Sequence, residues 1–149
     1  MPTASIKKKI SCNKEDLINM VLDIEKYPEF VPWCLGAKIH QKIDKENFIE
    51  IIADLTIGKS FFRETYKSFV VYNKFNNVIN VTNIDGPLKH LENKWFFKQI
   101  GEKSEINFHV DFELKNRILN TLMITSFDLG LKKIGDAFEK RAIQLFQKV

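Results

Sequence analysis

Apolar and polar positions alternate with a period of two through most of the chain, then switch to a spacing of three or four near its end. The alternation is cleanest in EINFHVDFEL, residues 105–114. There Ile106, Phe108, Val110, Phe112 and Leu114 fall on one face and Asn107, His109, Asp111 and Glu113 on the other. The same pattern predicts strands in ASIKKKIS, with Ile6 and Ile10 on one side, and in GAKIHQKI, with Ala37, Ile39 and Ile43 together. In NFIEIIADLTIG, Ile49, Ile51, Ala53, Leu55 and Ile57 oppose Glu50, Asp54 and Thr56. SFFRETYKSFVVY, VINVTNI and LENKWFFKQI also read as strands, divided by the turn sequences NKFNN and DGPLKH. Both registers of FRETYKSFV mix apolar and charged residues, so its facing stays open.

Two segments carry helical signals. CNKEDLINMVLDIEKY has Ser11 or Asn13 as a candidate N-cap and the carboxylates Glu15 and Asp16 in its first turn. Beyond Lys115, Ile124, Phe127, Leu131, Ile134, Phe138, Ala142 and Leu145 recur as one apolar stripe, which predicts a single helix over about residues 117–147. Gly130 and Gly135 lie inside it, each costing roughly 1 kcal/mol relative to alanine; a glycine there marks a bend or a close approach to the sheet. The order of strand, helix, six strands and a long helix predicts an α+β fold, an antiparallel sheet with its helices on one side.

One stretch fits neither period. YPEFVPWCLGAKI, residues 27–39, gathers Tyr27, Phe30 and Trp33 around Pro28 and Pro32, and the prolines exclude a continuous helix or a central strand. Aromatic side chains on a segment held outside the scaffold suit the lip of an apolar cavity, where an indole meets both wet and dry surroundings. One helix over one sheet leaves a gap that either bulky side chains or a ligand must fill.

Composition changes this picture little. The chain has 149 residues, enough for one domain (1–149) with its own core. Cys12 and Cys34 match no metal spacing and are expected as reduced, buried thiols. The net charge of +4 is concentrated near the end, where residues 115–149 hold seven Lys or Arg against Asp128, Asp136 and Glu139. Such an excess suits an anionic membrane or RNA. With no signal-type h-region and no apolar run of the roughly 20 residues that span a bilayer, the expected location is cytoplasmic, or peripheral on the inner face of the plasma membrane.

YPEFVPWC, FRETYKSFV, DGPLKHLENKWFF and INFHVDFEL, followed by a helix with AFEKRAIQLF, resemble in order the coenzyme Q-binding family of START-like proteins, within the polyketide cyclase and lipid-transfer superfamily. The resemblance implies a helix-grip fold, a curved antiparallel sheet wrapped around the long C-terminal helix with a hydrophobic tunnel between them. It implies a lipid chaperone that binds ubiquinone and supports respiratory electron transport without turnover, ubiquinone being a ligand and no catalytic cofactor being needed. Partners would be ubiquinone or another polyprenyl lipid and, transiently, an anionic membrane. Bacterial relatives described as ribosome-association toxins give an alternative, a regulator that binds the large ribosomal subunit and blocks subunit association.

The ligand-binding residues expected on this reading are Phe30, Val31 and Trp33 in the loop, and Leu55, Phe62, Tyr66, Leu88 and Trp95 on the sheet. From the helix, Leu122, Phe127, Leu131 and Ile134 complete the set. Leu88 stands where the family pattern usually has an aromatic, and the Tyr66 hydroxyl is suited to a quinone carbonyl. No nucleophile, base and orienting group share a motif, and neither a phosphate-binding glycine loop nor metal-ligand spacing occurs. The protein is therefore expected not to be an enzyme. A small cyclase-type enzyme using Glu64 or Asp54 for proton transfer is the third reading.

Overall fold

The computed structural model describes residues 3–59, 62–85, 88–118, 121 and 127–146, with the backbone alone described for residues 3, 4, 59, 62, 85, 88, 112 and 127–130. In chain order the elements are β1 (Thr3–Ile10), α1 (Lys14–Leu22), a 3-10 helix (Ile24–Glu29), β2 (Cys34–Asp44), β3 (Phe48–Lys59), β4 (Phe62–Asn73), β5 (Val78–Asp85), β6 (Leu88–Ile100), β7 (Lys103–Leu114) and α2 (Phe127–Phe146). The strands form one curved sheet in the order β1-β7-β6-β5-β4-β3-β2, antiparallel throughout. This is the expected α+β helix-grip arrangement, with both helices packed on the inner face of the sheet.

Asn13 caps α1, its side-chain oxygen accepting from the Glu15 amide at 2.8 Å. The helix expected to reach Tyr27 ends at Leu22, and the chain continues as the 3-10 helix. The physical reason is Pro28, which has no amide to give the carbonyl of Ile24 and whose ring would clash with it in an α-helix. Two other expectations on facing are corrected. The β2–β3 register shifts between Ile39 and Gln41, and this bulge turns Ile43, paired with Glu50, onto the outer face at 37% exposure. In α2, Leu131, Phe138 and Ala142 are buried as expected, but Leu145 is 52% exposed. Four residues beyond Ala142, Phe146 takes the core position instead.

The facing of β4, open in the sequence, is settled by its neighbours. Ser68, Val70 and Tyr72 lie opposite Ala53, Ile51 and Ile49 of β3, and all six belong to the inner face. At Gly135 α2 lies directly against β1. A Cβ there would lie 3.1 Å from Lys8 Cε and 3.2 Å from Ile6 Cδ1. Beside it Lys8 Nζ is held by Asp136 at 2.7 Å and Glu139 at 3.0 Å. The Asp136 hydrogen bond is the main cause that raises the Lys8 pKa, and the same bond holds Asp136 below the usual carboxylate range. Residues 117, 118 and 121 are helical, while Ile124 falls outside the described residues.

Candidate functional site

The inner face divides into a filled half and an accessible half. In the filled half Trp95 is 7% exposed, its indole 4.3 Å from the Phe108 ring and 5.1 Å from that of Phe138. Phe138 also meets Phe30 at 5.1 Å and Tyr27 at 5.5 Å, both edge to face. Trp95 and Phe30 are thus bound into one aromatic cluster through a helix residue that the sequence reading placed only in the α2 stripe. A cavity of about 20 Å³ remains beside it, between Ile6, Ile134 and Phe138, and a groove of about 140 Å³ lies outside, between Asp23, Phe30, Arg141 and Phe146. Neither takes a polyprenyl chain.

Toward the end of the sheet where β4 and β6 begin, the inner face opens. Leu55, Ile57, Glu64 and Tyr66 are half-buried there, as are Asn83 and Asn93, although Ala53 and Ser68 beside them are fully buried. Leu131 and Ile134 face the sheet from α2, the first buried and the second half-buried.

The aromatic loop borders this open half and is held firmly. The amides of Phe30 and Val31 donate to the Tyr27 carbonyl at 3.1 and 2.8 Å, and the Tyr27 hydroxyl donates to the carbonyl of Val21. Trp33 sits in the left-handed region at φ 64°, its carbonyl accepting from Gly58 N at 2.9 Å. A bulky residue at such a φ is strained by roughly 1–3 kcal/mol and persists only where its surroundings impose it. From α2, Arg141 reaches Glu29 at 2.9 Å and lies 5.1 Å over the Phe30 ring, while Lys133 Nζ lies 6.0 Å over the Trp33 ring. The Arg141 hydrogen bond holds Glu29 below the usual carboxylate range. Lys133 is therefore at the loop, and Arg141 is engaged in fixing it.

Burial raises the pKa of the Tyr66 phenol, with a smaller push from the Cys34 thiol, so Tyr66 stays a neutral donor and acceptor. Burial likewise raises both thiols; among them Cys34 donates weakly to the Gly36 carbonyl at 3.6 Å. The inner face also carries a polar diagonal running from Asn93 through Asn83 and Ser68 to Tyr66 and Glu64, of which the sequence reading used only the last two. Ser68 donates to the Ala53 carbonyl at 3.2 Å, and Asn83 accepts from the Leu91 amide at 3.0 Å. The signal for Asn93 was available, since period two in LENKWFF puts it on the face of Leu91, Trp95 and Phe97.

The histidines lie on the other side of the sheet. His40 pairs with Asp54 at 2.7 Å, His90 with Asp111 at 3.5 Å and His109 with Ser5 at 2.7 Å. Asp54 thus faces away from the cavity side and is removed as a proton-transfer group there; Glu64 remains on the inner face. Of the other expected site residues, Phe62 and Leu88 open β4 and β6 and Phe127 opens α2, with only their backbones described. Val31 is half-buried in the loop, and Leu122 lies outside the described residues.

A sheet gripping one helix is an architecture shared with known proteins. The family model for polyketide cyclase/dehydrase and lipid transport matches residues 14–139. The chain belongs to this family. Within it, the chain is 33% identical over 134 residues to a protein named ribosome association toxin RatA from Rickettsia prowazekii, covering 88% of this chain and 89% of that one. It is 31% identical over 147 residues to a mitochondrial coenzyme Q-binding protein, COQ10, from Dictyostelium discoideum, covering 97% of this chain and 70% of that one. An 18 kDa protein from Caulobacter crescentus superposes with a TM-score of 0.79 at 29% identity, covering 97% of this chain and 98% of that one. The Zhui aromatase/cyclase of a Streptomyces species shares the fold, with a TM-score of 0.78 at 11% identity, covering 96% of this chain and 94% of that one. Among the described residues no helix is long and apolar enough to cross a membrane.

Proposed function

We propose that this chain is a single-domain lipid chaperone that shelters a polyprenyl quinone, ubiquinone, between the open half of the sheet and α2, without chemical turnover, in support of respiratory electron transport. The observation that carries the reading is the accessible apolar surface around Leu55, Ile57 and Tyr66, bordered by the fixed Phe30–Trp33 loop. The similarity to a coenzyme Q-binding protein supports it. Burial of about 300 Å² of tail is worth roughly 7.5 kcal/mol at 25 cal/mol per Å². That gain is available without a water-exposed intermediate if the open end meets a bilayer. Lys133 beside Trp33 suits an anionic leaflet, in keeping with exchange at the inner face of the plasma membrane.

The test is lipid extraction and mass spectrometry of the protein purified from a ubiquinone-making host. Stoichiometric ubiquinone is expected, and its loss in Leu55→Trp. A protein that emerges empty or loaded with fatty acid sinks the reading. A second reading has its own support in the relative named as a ribosome association toxin. A regulator that binds the large ribosomal subunit would tolerate Leu55→Trp and fail when Lys132 and Lys133 are reversed in charge, the opposite outcome.

A further inference from the structure

Among the described residues, Asn93, Asp111 and Arg141 each carry a buried side-chain atom with no hydrogen-bond partner, and of the three Asn93 is the one on the inner face of the sheet. It lies on the inner face of β6 between Leu91 and Trp95, opposite Val81 of β5 and Val110 of β7. Those four neighbours are between 6% and 8% exposed. The Oδ1 atom of Asn93 is buried and has no hydrogen-bond partner. An amide left unsatisfied in such surroundings costs about 1–3 kcal/mol. The other polar side chains of the inner face beside it do not share this state, since Ser68 and Asn83 each bond to a backbone group. Yet Asn93 as a residue keeps more exposure than any of its four neighbours.

We infer that the Asn93 amide seats the oxygenated head of the bound lipid, so that the ligand lies head inward with its tail leading back to the Trp33 loop. The inference rests on the lipid-binding reading above and adds the ligand's orientation and head chemistry. An amide offers both a donor and an acceptor, which fits a carbonyl or hydroxyl on a ring. Leu91, Trp95, Val81 and Val110 bring no charge to the spot, so a carboxylate or phosphate head would be buried there without a counter-ion, at a cost far above that of a neutral oxygen. The favoured head is neutral, as in a quinone or quinol, and a fatty acid or phospholipid is disfavoured. Asn93 lies five residues into β6 from Leu88, about 17 Å at 3.3 Å per residue. A longer tail reaches the opening.

Asn93→Leu keeps the approximate volume and removes the amide. The probes are decylubiquinone, followed by quenching of tryptophan fluorescence, and radiolabelled squalene, which has isoprenoid carbon and no head, followed by co-elution. The wild type is expected to bind decylubiquinone about tenfold more tightly than Asn93→Leu, to bind squalene equally in both, and to melt no higher than the variant. Equal decylubiquinone binding in both proteins overturns the inference and leaves the lipid-binding reading standing. A variant that melts lower and loses squalene as well makes Asn93 a structural residue and overturns it too. A wild type that binds neither probe removes the lipid-binding reading, and the inference with it.

Discussion

Phe138 is the residue through which the loop, the helix and the sheet are coupled, and its removal has a calculable cost. The side chain is 4% exposed and touches the rings of Tyr27, Phe30 and Trp95 at 5.1 to 5.5 Å. An aromatic of this kind buries roughly 150–250 Å², worth about 4–6 kcal/mol at 25 cal/mol per Å². Measured Phe→Ala changes in cores fall near 3–5 kcal/mol. Phe138→Ala should therefore cost about 4 kcal/mol, a large part of the roughly 5–15 kcal/mol that holds a domain folded. Unfolding entropy of about 2.1 cal/mol/K per residue over 149 residues makes that a fall in Tm of about 13 °C. Calorimetry and urea titration read both quantities. Phe75→Ala is the control, since Phe75 is 91% exposed and its loss should stay within about 0.5 kcal/mol. A double-mutant cycle with Phe30→Ala should return a coupling of roughly 0.5–1.5 kcal/mol. If Phe138→Ala costs less than about 1.5 kcal/mol, or the coupling is zero, the loop is not pinned through this ring.

Three further outcomes follow from named contacts. Asp136 and Glu29 have lowered pKa values, so their stabilisation is present above the unfolded carboxylate range and lost as pH falls through the folded values. Below about pH 4 the urea midpoint should drop, and Lys8→Met should flatten that acid limb by removing the partner of Asp136. Lys8 itself is raised above 10.5, so its contribution is intact below that pH and lost only as pH rises through the folded value. Gly135→Ala should be nearly neutral, a helix gain of about 1 kcal/mol offsetting the crowding against Lys8 and Ile6, whereas Gly135→Leu should cost about 1–3 kcal/mol in urea titration. Reversal of Lys132 and Lys133 to Glu should weaken sedimentation with anionic vesicles more than tenfold at low salt, at about 1 kcal/mol per basic residue near the surface; unchanged binding would place the membrane contact elsewhere.

Strand identity was legible because alternation depends only on neighbours two apart, and β7 follows it without a break. Facing was legible wherever one register was clearly apolar. It was not legible in β4, where Phe69 and Val71 are as apolar as Val70 and Tyr72 and only the pairing with β3 decides. Ile43 misled because a bulge leaves no composition signal, and Leu145 because a spacing of three and a spacing of four both continue a helical stripe. The aromatic loop was legible as a special segment, but its anchoring was not. The contact of Phe30 with Phe138 and that of Glu29 with Arg141 join residues more than a hundred positions apart, and no local pattern encodes them. The polar diagonal could have been read from period two, had inward-facing Asn93 been weighed as chemistry.

The strand order has a consequence for how the chain reaches this state. From β3 to β7 each strand pairs with the one before it, so β2 to β7 can be laid down as successive hairpins while synthesis proceeds. β1 is made first and pairs only with β7, joining Thr3 to Asp111 and Ile10 to Ser104. Loop-closure entropy must be met before that pairing returns any energy. The first strand to leave the ribosome is thus the last to find its place. Until it does, β7 presents an unpaired edge, and α2 lacks the Ile6, Lys8 and Ile10 surface on which it will rest.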